Sequence, residues 1–299
     1  MASFRAGTVA LIGKPNVGKS TLANALVGQK FTITSDKKQT TRKNIVGIAT
    51  GPDHQIVIVD APGIHEPHTE LGKRMVAAAQ TAMGQADLIV FVADVHQPPK
   101  KEDIEIAKML KSNRQNTEPN GVILCLNKMD LLAPEHVLEN VNAFCELLNT
   151  EAYMLTCLTK GQNVREFRQL VIDNLPEAPA LYPDDLFTDQ TLRSMAEEII
   201  REKALNRTQQ EIPHALTAHV DQWTEQDSQT VIQASIIVEK QGQKAIIIGK
   251  QGRMIKEIGT AARIEISELL EKTVHLELTV KVRENWRQNP RMLSELELL

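Results

Sequence analysis

Gly13-Lys14-Pro15-Asn16-Val17-Gly18-Lys19-Ser20 is the stretch that decides the fold of this chain. It satisfies the phosphate-loop pattern G-x-x-x-x-G-K-[ST] in full, between the apolar run Val9–Ile12 and a helical pattern that starts near Thr21. Glycines at both ends allow backbone N–H groups to surround phosphates, while Lys19 adds a positive charge and Ser20 a hydroxyl group for Mg²⁺. The sequence therefore predicts a strand, a phosphate-binding loop and a helix, in that order.

Length and composition indicate an ordinary globular protein of about two domains. The chain has 299 residues, of which 42% are hydrophobic and 24% charged, and its formal net charge is −4. The overall charge therefore gives no sign of nucleic-acid binding. The longest apolar run, Leu88–Ala93, is far too short to cross a bilayer. We expect a soluble, cytoplasmic protein with reduced cysteines, of which Cys125 is a buried strand residue.

From Ala6 to about Leu175, short apolar runs alternate with helical patterns. Near-continuous apolar strands separated by helix-length segments are typical of a mostly parallel, doubly wound α/β sheet with both faces covered. Ligands of such sheets bind at the carboxyl ends of the strands, where the motifs below fall. The runs are Val9–Ile12, Ile45–Ala49, Ile56–Val59, Leu88–Ala93, Val122–Leu126 and Tyr153–Thr156.

A change of pattern after residue 175 predicts a second domain. Residues 176–188 contain three prolines and the pair Asp184-Asp185, which break the alternation and predict a linker. The following part reads as a smaller α+β unit. We predict an α/β domain that carries the phosphate loop over 1–175, a linker over 176–188 and the α+β domain over 189–299. Its expected elements are a helix at about 191–205, strands near 215–223 and 231–238, helices on either side of 249–252, and a strand at 274–282.

Asp60-Ala61-Pro62-Gly63 closes the apolar run Ile56–Val59. The pattern D-x-x-G is weak alone, and its weight comes from its place after a strand and after the phosphate loop. In that place Asp60 brings a carboxylate near Mg²⁺, and Gly63 brings a backbone N–H near the γ-phosphate. The motif therefore extends the predicted phosphate site.

Asn127-Lys128-Met129-Asp130 follows the apolar run Val122–Leu126. The carboxylate of Asp130 can accept hydrogen bonds from N1–H and the 2-amino group of guanine, whereas adenine has neither donor on that edge. Such a site rejects the wrong base by about 10⁴ or more, because the carboxylate otherwise loses its partners. The base is predicted to be guanine, and an ATP-hydrolysing site is the alternative that Asp130 argues against.

These three motifs, in this order, resemble the translation-factor class of GTPases over roughly the first 175 residues. The resemblance implies binding of GTP or GDP with Mg²⁺. It implies that Thr41, rather than Thr40, contacts Mg²⁺ and the γ-phosphate, and that the backbone of Cys157-Leu158 replaces the usual Ser-Ala beside guanine. The expected nucleotide-binding residues are Gly13, Asn16, Val17, Gly18, Lys19, Ser20, Thr21, Asp60, Ala61, Pro62, Gly63, Asn127, Lys128, Asp130, Cys157 and Leu158.

The group that positions the attacking water is harder to predict. Ras-type enzymes use a glutamine directly after D-x-x-G, but Ile64 occupies that position. Slow intrinsic hydrolysis is therefore expected, and the resemblance suggests that Asn16 helps to hold a K⁺ ion. The expected catalytic residues are Lys19, Thr41 and Gly63, and the expected Mg²⁺ ligands are Ser20, Thr41 and Asp60.

Gly249-Lys250-Gln251-Gly252 is a G-x-x-G loop between two helical stretches. Residues 240–256 carry five positive charges and no acidic residue. Such a loop can approach a sugar-phosphate backbone closely, as KH modules do when they clamp about four nucleotides. The domain as a whole has more acidic than basic residues, so RNA must bind in a local groove; a structural or protein-docking role is the alternative. The expected RNA-binding residues are Lys244, Gly249, Lys250, Gln251, Gly252, Arg253 and Lys256.

Taken end to end, the chain resembles the Era-like family of bacterial GTPases with a C-terminal KH domain. The resemblance rests on the motifs above and on the ending Val282-Arg283-Glu284-Asn285-Trp286. It implies a type II KH fold, binding to the 3′ end of 16S rRNA, a role in 30S ribosomal subunit assembly and peripheral association with the inner membrane. We expect a monomer. The alternative function is an RNA-binding module that senses guanine nucleotide, with hydrolysis incidental.

Overall fold

The computed structural model describes residues 4–37, 39–114, 121–209 and 212–298. These residues form two compact units. The first contains the described residues up to Thr32 together with Thr41–His68 and Gly72–Asp189; the second contains those of Ile33–Thr40, Thr69–Leu71 and the chain from Gln190 onward. The outer limits predicted for the two domains, residues 1 and 299, lie outside the described residues, and the boundaries at 175 and 189 remain predictions.

The first unit is built on a six-stranded sheet. Its strands are β1 (Arg5–Ile12), β2 (Ile45–Thr50), β3 (His54–Asp60), β4 (Leu88–Asp94), β5 (Gly121–Asn127) and β6 (Tyr153–Thr156). Its helices are α1 (Lys19–Val27), α2 (Glu70–Gln85), α3 (Lys101–Arg114), α4 (Val137–Leu148) and α5 (Val164–Asp173). The strand order is β2-β3-β1-β4-β5-β6, and neighbours run parallel except for the antiparallel pair β2–β3.

Two hydrophobic cores cover the two faces of this sheet. Along β4, Phe91 packs in a core with residues of α2, α3 and α4, whereas Val90 packs in a core with residues of α1 and α5. Successive strand residues point to opposite faces, so both sets of side chains must be apolar. This explains the near-continuous apolar runs, and the mostly parallel α/β fold predicted from them is confirmed.

The carboxyl ends of β1, β3, β4 and β5 meet at one edge of the sheet. The register pairs Leu11 with Asp60 and Asp94 with Asn127. β1 lies between β3 and β4, so the chain leaves it at the point where the strand order reverses. Crevices of this kind bind ligands in open α/β sheets.

The segment predicted as a linker, residues 176–188, lies along the first unit's sheet. The side chain of Gln55 is fully buried; its Oε1 accepts from the Tyr182 N–H at 2.9 Å and its Nε2 donates to the Tyr182 carbonyl at 2.9 Å. Thr188 Oγ1 donates to the Val46 carbonyl at 2.6 Å. The proline-rich composition that predicted a linker gave no sign that the segment is hydrogen-bonded to β2 and β3.

The second unit is a three-stranded sheet with helices. Its strands are β7 (Thr217–Glu225), β8 (Gln229–Val238) and β9 (Thr273–Val282), and its helices are α6 (Leu192–Arg207), α7 (Ile212–Ala215), α8 (Gln241–Ile248), α9 (Arg253–Leu270) and α10 (Pro290–Glu295). β7 and β8 run antiparallel and β8 and β9 parallel. The α+β order predicted for this part is confirmed.

Local sequence explains the start of α6 and the core of this unit. Thr191 Oγ1 accepts from the Ser194 N–H at 3.2 Å, a side-chain cap that begins α6. Ile258, Ala262 and Ile266 of α9 are fully buried, as their helical spacing predicts. The sequence missed α7 and α10, since a helix of one or two turns shows no periodicity. Among the described helices, none combines the length and hydropathy that crossing a bilayer requires.

Candidate functional site

The phosphate loop connects β1 to α1, as predicted. Lys19 is only 6% exposed, and its Nζ donates to the carbonyl oxygens of Gly13 at 3.1 Å and Lys14 at 3.0 Å. Burial lowers the pKa of Lys19 to about 8, although the nearby charge of Asp60 acts in the opposite direction. The ammonium group therefore lies against the loop that would surround the phosphates.

Three residues predicted to bind Mg²⁺ come together from separate segments. Ser20 Oγ donates to Asp60 Oδ2 at 2.7 Å, and Thr41 Oγ1 donates to the same oxygen at 3.2 Å. The two hydroxyl oxygens are 3.0 Å apart. Thr32 also joins this group, donating to Asp60 Oδ2 at 3.0 Å; the sequence contains no local pattern that could have identified it.

The chemistry of this group fits Mg²⁺. Asp60 is fully buried, and its Oδ1 has no hydrogen-bond partner among the described residues, although Oδ2 has three. Burial raises the pKa of Asp60. A buried carboxylate oxygen without a partner calls for an explanation, and a cation held by oxygen ligands supplies one. The described residues contain no cluster of three or more His, Cys, Asp or Glu side chains suited to a metal, and Mg²⁺ that also binds phosphates needs only one or two carboxylates.

The residues after Asp60 pack against the phosphate loop. A Cβ atom on Gly63 would lie 2.8 Å from the backbone nitrogen of Pro15, so no larger residue fits there. The Ile64 N–H donates to the Gly13 carbonyl at 3.2 Å, and the Ile64 side chain is buried. His65 Nδ1 lies 2.9 Å from the Gly63 carbonyl. The catalytic roles assigned to Lys19, Thr41 and Gly63 remain predictions.

Asn127 links the phosphate loop to the loop after β6. Its Nδ2 donates to the Val17 carbonyl at 2.8 Å, and its Oδ1 accepts from the Leu158 N–H at 3.2 Å. A Cβ atom on Gly18 would lie 2.5 Å from Asn127 Nδ2, so the second glycine of the loop makes room for this contact. Thr156 Oγ1 donates to the same Oδ1 at 3.4 Å and was not predicted.

Asp130 has an ionised carboxylate that two neighbours stabilise. The Cys157 thiol and the Lys160 ammonium hold the pKa of Asp130 below its ordinary value, and Lys160 Nζ lies 3.0 Å from Asp130 Oδ2. An ionised carboxylate is the acceptor that guanine requires. Lys160 was not predicted, although its position two residues after the predicted Leu158 was a usable signal.

The other predicted nucleotide-binding residues differ in their surroundings. Lys128 donates from Nζ to Asp94 Oδ2 at 2.6 Å, a partner that the sequence did not suggest. Thr21 lies in the first turns of α1, and Ala61 is fully buried directly after β3, followed by Pro62.

The thiols are distributed as expected. Cys125 is fully buried in β5, so the prediction of a buried strand residue is confirmed, and burial raises its pKa to about 12. Cys145 and Cys157 are also free cysteines.

In the second unit, the glycine loop joins α8 to α9 through a short 3₁₀ turn, Lys250–Gly252. Lys250, Gln251 and Lys256 are exposed, and Lys244 is half-buried. Arg253 is 84% exposed and pairs with Glu257 at 2.8 Å. Ile246 of α8 is an apolar side chain that is 51% exposed, which the charge pattern did not indicate. The loop therefore presents backbone and positive charge to solvent.

Family models match both units. One described as a 50S ribosome-binding GTPase matches residues 8–128, and one described as a KH domain matches residues 211–287. GTPase Era of Geobacter metallireducens is 43% identical over 295 residues, which cover 98% of this chain and 97% of that protein. GTPase Era of Leuconostoc citreum is 43% identical over 298 residues, covering 99% and 97%.

Two solved structures agree with the whole chain. One is Era in complex with MgGDPNP and nucleotides 1506–1542 of 16S ribosomal RNA, and the other is an Aquifex aeolicus Era variant bound to GDP and AlF₄⁻. Each has a TM-score of 0.93 and 36% identity, and each covers 99% of both chains. Sequence and structure are thus similar over both units and not over the nucleotide site alone. The chain belongs to the Era family of GTPases.

Proposed function

We propose that this protein hydrolyses GTP and binds the 3′-terminal segment of 16S rRNA through its KH unit during assembly of the 30S ribosomal subunit. The observation that carries the nucleotide part is the convergence of Ser20, Thr41 and Asp60, whose oxygen atoms lie 2.7–3.2 Å apart. The RNA part is supported by the exposed basic glycine loop and by the related Era structure with nucleotides 1506–1542 of 16S rRNA.

At the phosphate end, Ser20, Thr41 and Asp60 would hold Mg²⁺. When bound, Mg²⁺ bridges phosphate oxygens and neutralises developing charge. Lys19 would exchange its two carbonyl acceptors for phosphate oxygens, whose negative charge raises the pKa of the ammonium group and keeps it protonated. Thr41 is the only one of these residues outside β1, α1 and β3, so its position is the one that responds to the γ-phosphate.

At the base end, Asp130 selects guanine. Its carboxylate accepts from two guanine donors, and adenine supplies neither of them. Asn127 does not need to touch the base, because its hydrogen bonds to Val17 and Leu158 align the two loops that meet there. The Leu158 N–H already donates to Asn127 Oδ1. The contact between guanine and the backbone of Cys157-Leu158 remains a prediction.

Intrinsic hydrolysis is slow in this proposal. Ile64 is apolar and buried, and its N–H is engaged by Gly13, so this position supplies no group to orient water. Asn16 in the phosphate loop would help to hold a K⁺ ion, which would supply positive charge at the phosphates. GTPase rates in equal concentrations of KCl and NaCl test this: we expect a higher rate in KCl, and equal rates would contradict the K⁺ role.

A competition titration tests the nucleotide assignment. A fluorescent GDP analogue bound to the full-length protein is displaced by GTP or by ATP in the presence of Mg²⁺. We expect ATP to require at least about 10³-fold higher concentration, because adenine supplies neither of the two donors that Asp130 accepts from in guanine. Equal displacement by the two nucleotides would remove the basis of the proposal.

A second candidate function is an RNA-binding module that senses guanine nucleotide, with hydrolysis incidental. The burial of Ile64 at the position of the usual catalytic glutamine favours it. Multiple-turnover rates with and without 30S subunits separate the two functions. Stimulated turnover supports the GTPase switch, whereas an unchanged slow rate supports the sensing module.

We also propose a cytoplasmic location with peripheral association to the inner membrane, on the strength of the family resemblance. Cosedimentation of the protein with vesicles of bacterial lipids tests it. Protein that stays in the supernatant at low and high salt would contradict the membrane contact.

A further inference from the structure

The side chains of Lys128, Asp94 and His96 form a connected polar chain at the carboxyl ends of β4 and β5. β4 ends at Asp94, which the register pairs with Asn127 at the end of β5. Asp94 Oδ2 accepts from Lys128 Nζ at 2.6 Å, and Asp94 Oδ1 lies 2.5 Å from His96 Nδ1. Both carboxylate oxygens of Asp94 are therefore engaged, one by the guanine-recognition segment and the other by the turn that follows β4.

This arrangement fixes a side chain that is otherwise flexible. Lys128 has φ 65° and ψ 35°, a left-handed conformation that is uncommon for residues other than glycine. The Lys128 and Asp94 side chains are 33% and 12% exposed, so their ion pair is less screened than one on the open surface. Burial opposes the charge on Asp94, but the hydrogen bonds from His96 and Lys128 outweigh it and hold the pKa of Asp94 below its ordinary value.

We propose that Asp94 is a positioning residue for guanine nucleotide and acts through Lys128, with His96 orienting its carboxylate. This rests on the proposed function, in which Asp130 binds guanine, and on the prediction that Lys128 contacts the nucleotide. Asp94 holds the Lys128 side chain in one rotamer before the nucleotide binds. Lys128 therefore loses little conformational entropy on binding, and the nucleotide binds more tightly. Asp94 is not part of the cluster at Ser20, Thr41 and Asp60, and it should affect nucleotide affinity and leave the chemical step unchanged.

The main test compares Asp94→Asn with the unaltered protein. The asparagine keeps the shape of the side chain and loses the charge that holds Lys128. We expect the Kd and KM for GTP to rise about tenfold, as for the loss of one charge-assisted hydrogen bond, with kcat unchanged and with most of the affinity restored in Asp94→Glu. A fall in kcat at constant KM would overturn the proposal.

A double-mutant cycle shows whether Asp94 acts through Lys128. We expect Lys128→Ala to weaken GTP binding, and the double variant Asp94→Asn/Lys128→Ala to be no weaker than Lys128→Ala alone. If the two substitutions raise the Kd for GTP independently, so that their fold-changes multiply in the double variant, the proposal is overturned. If Lys128→Ala leaves GTP affinity unchanged, Lys128 does not contribute to the base site and the proposal is overturned. Failure of the proposed function is seen separately, as a GTP preference that survives in Asp130→Asn.

Two further variants serve as controls. Asp87 lies just before β4, and its Oδ2 accepts from the Thr8 N–H at 2.7 Å, away from the base site; Asp87→Asn should leave the Kd for GTP unchanged. His96→Gln removes the partner that orients Asp94, and about threefold weaker binding is expected. No effect of His96→Gln would overturn the role given to His96. Thermal unfolding of the nucleotide-free proteins checks folding, and Asp94→Ser replaces Asp94→Asn if the latter does not fold.

Discussion

Lys19 and Asp60 are opposite charges buried in the same small volume. Burial lowers the pKa of Lys19 to about 8 and raises the pKa of Asp60, while each charge favours ionisation of the other. Buried charges are costly unless they are paired. Burial of these two charges therefore destabilises the nucleotide-free protein, and we expect a bound Mg²⁺–nucleotide complex to offset this destabilisation.

The first prediction follows from the pKa of Lys19. An unfolded lysine titrates at about 10.4, whereas the folded pKa is about 8, so the unfolded state binds more protons between these values. The contribution of Lys19 to the free energy of unfolding is therefore lowest below pH 8 and rises by roughly 3 kcal/mol as the pH increases to about 10.4.

Lys19→Met isolates this contribution, because other titrating groups are common to both proteins. In urea unfolding of nucleotide-free protein, we expect Lys19→Met to have the higher free energy of unfolding at pH 8. The difference from the unaltered protein should decrease by roughly 3 kcal/mol between pH 8 and about 10.4. A difference that stays constant with pH would contradict it.

The second prediction concerns Asp130. Asp130→Asn replaces one acceptor oxygen with an NH₂ donor, which suits the C2 carbonyl of xanthine and leaves guanine donors unpaired. We expect the affinity for GTP to fall at least about 10²-fold and that for xanthosine triphosphate to exceed it, measured by competition titration. Lys160→Ala, which keeps the carboxylate and removes its exposed partner, should change GTP affinity less than about tenfold. A GTP preference that survives in Asp130→Asn would count against the base assignment.

At the scale of elements, the two glycines of the loop between α8 and α9 are not equivalent. Gly249 has φ 73° and ψ 173°, a region essentially restricted to glycine, and a Cβ atom there would lie 2.7 Å from Met254 Cβ. Gly252 has φ 75° and ψ 11°, and nothing lies within 4 Å of its Cβ position. A substitution at Gly249 therefore tests folding, whereas one at Gly252 tests binding.

The third prediction uses a matched pair at Gly252. Asp and Asn both tolerate the left-handed conformation and both cap helices well, so Gly252→Asp and Gly252→Asn should fold like the unaltered protein. Only the aspartate places a negative charge where a phosphate would approach. By fluorescence anisotropy with the 3′ segment of 16S rRNA, we expect at least about tenfold weaker binding for Gly252→Asp than for Gly252→Asn. Unchanged binding by both variants would show that RNA does not use this loop.

At the scale of the whole molecule, GTP and RNA are expected to act on each other's affinity. Coupling between two sites is reciprocal, so the factor by which a GTP analogue changes the Kd for RNA equals the factor by which RNA changes the Kd for the analogue. We expect a factor of about 5 to 150 relative to GDP, measured by titrations in both directions. A factor of one in both would contradict the switch and favour two independent activities.

Elements were predicted well wherever their signal is local. The strands described in both units lie where the sequence predicts them. The signal is clearest in the first unit, because a strand buried on both faces must be apolar throughout. β7 begins at Thr217 rather than 215 since Ala215 ends the short helix α7. The hydrogen bonds of residues 176–188 could not be predicted from composition, because the Gln55 side chain that binds this segment is more than 120 residues away along the chain.

The phosphate loop, the guanine motif, the glycine loop and the order of the two units can all be predicted from the residues alone, because each depends on residue types at short, regular spacing. Three contacts could be found only in the folded protein: Thr32 with Asp60, Lys160 with Asp130 and Asp94 with Lys128. These partners are common residue types without a motif of their own. Asp94 and Lys160 reach the site because parallel strands end at the same edge of the sheet, and Thr32 reaches it from the segment between α1 and β2. That adjacency is a property of the folded chain.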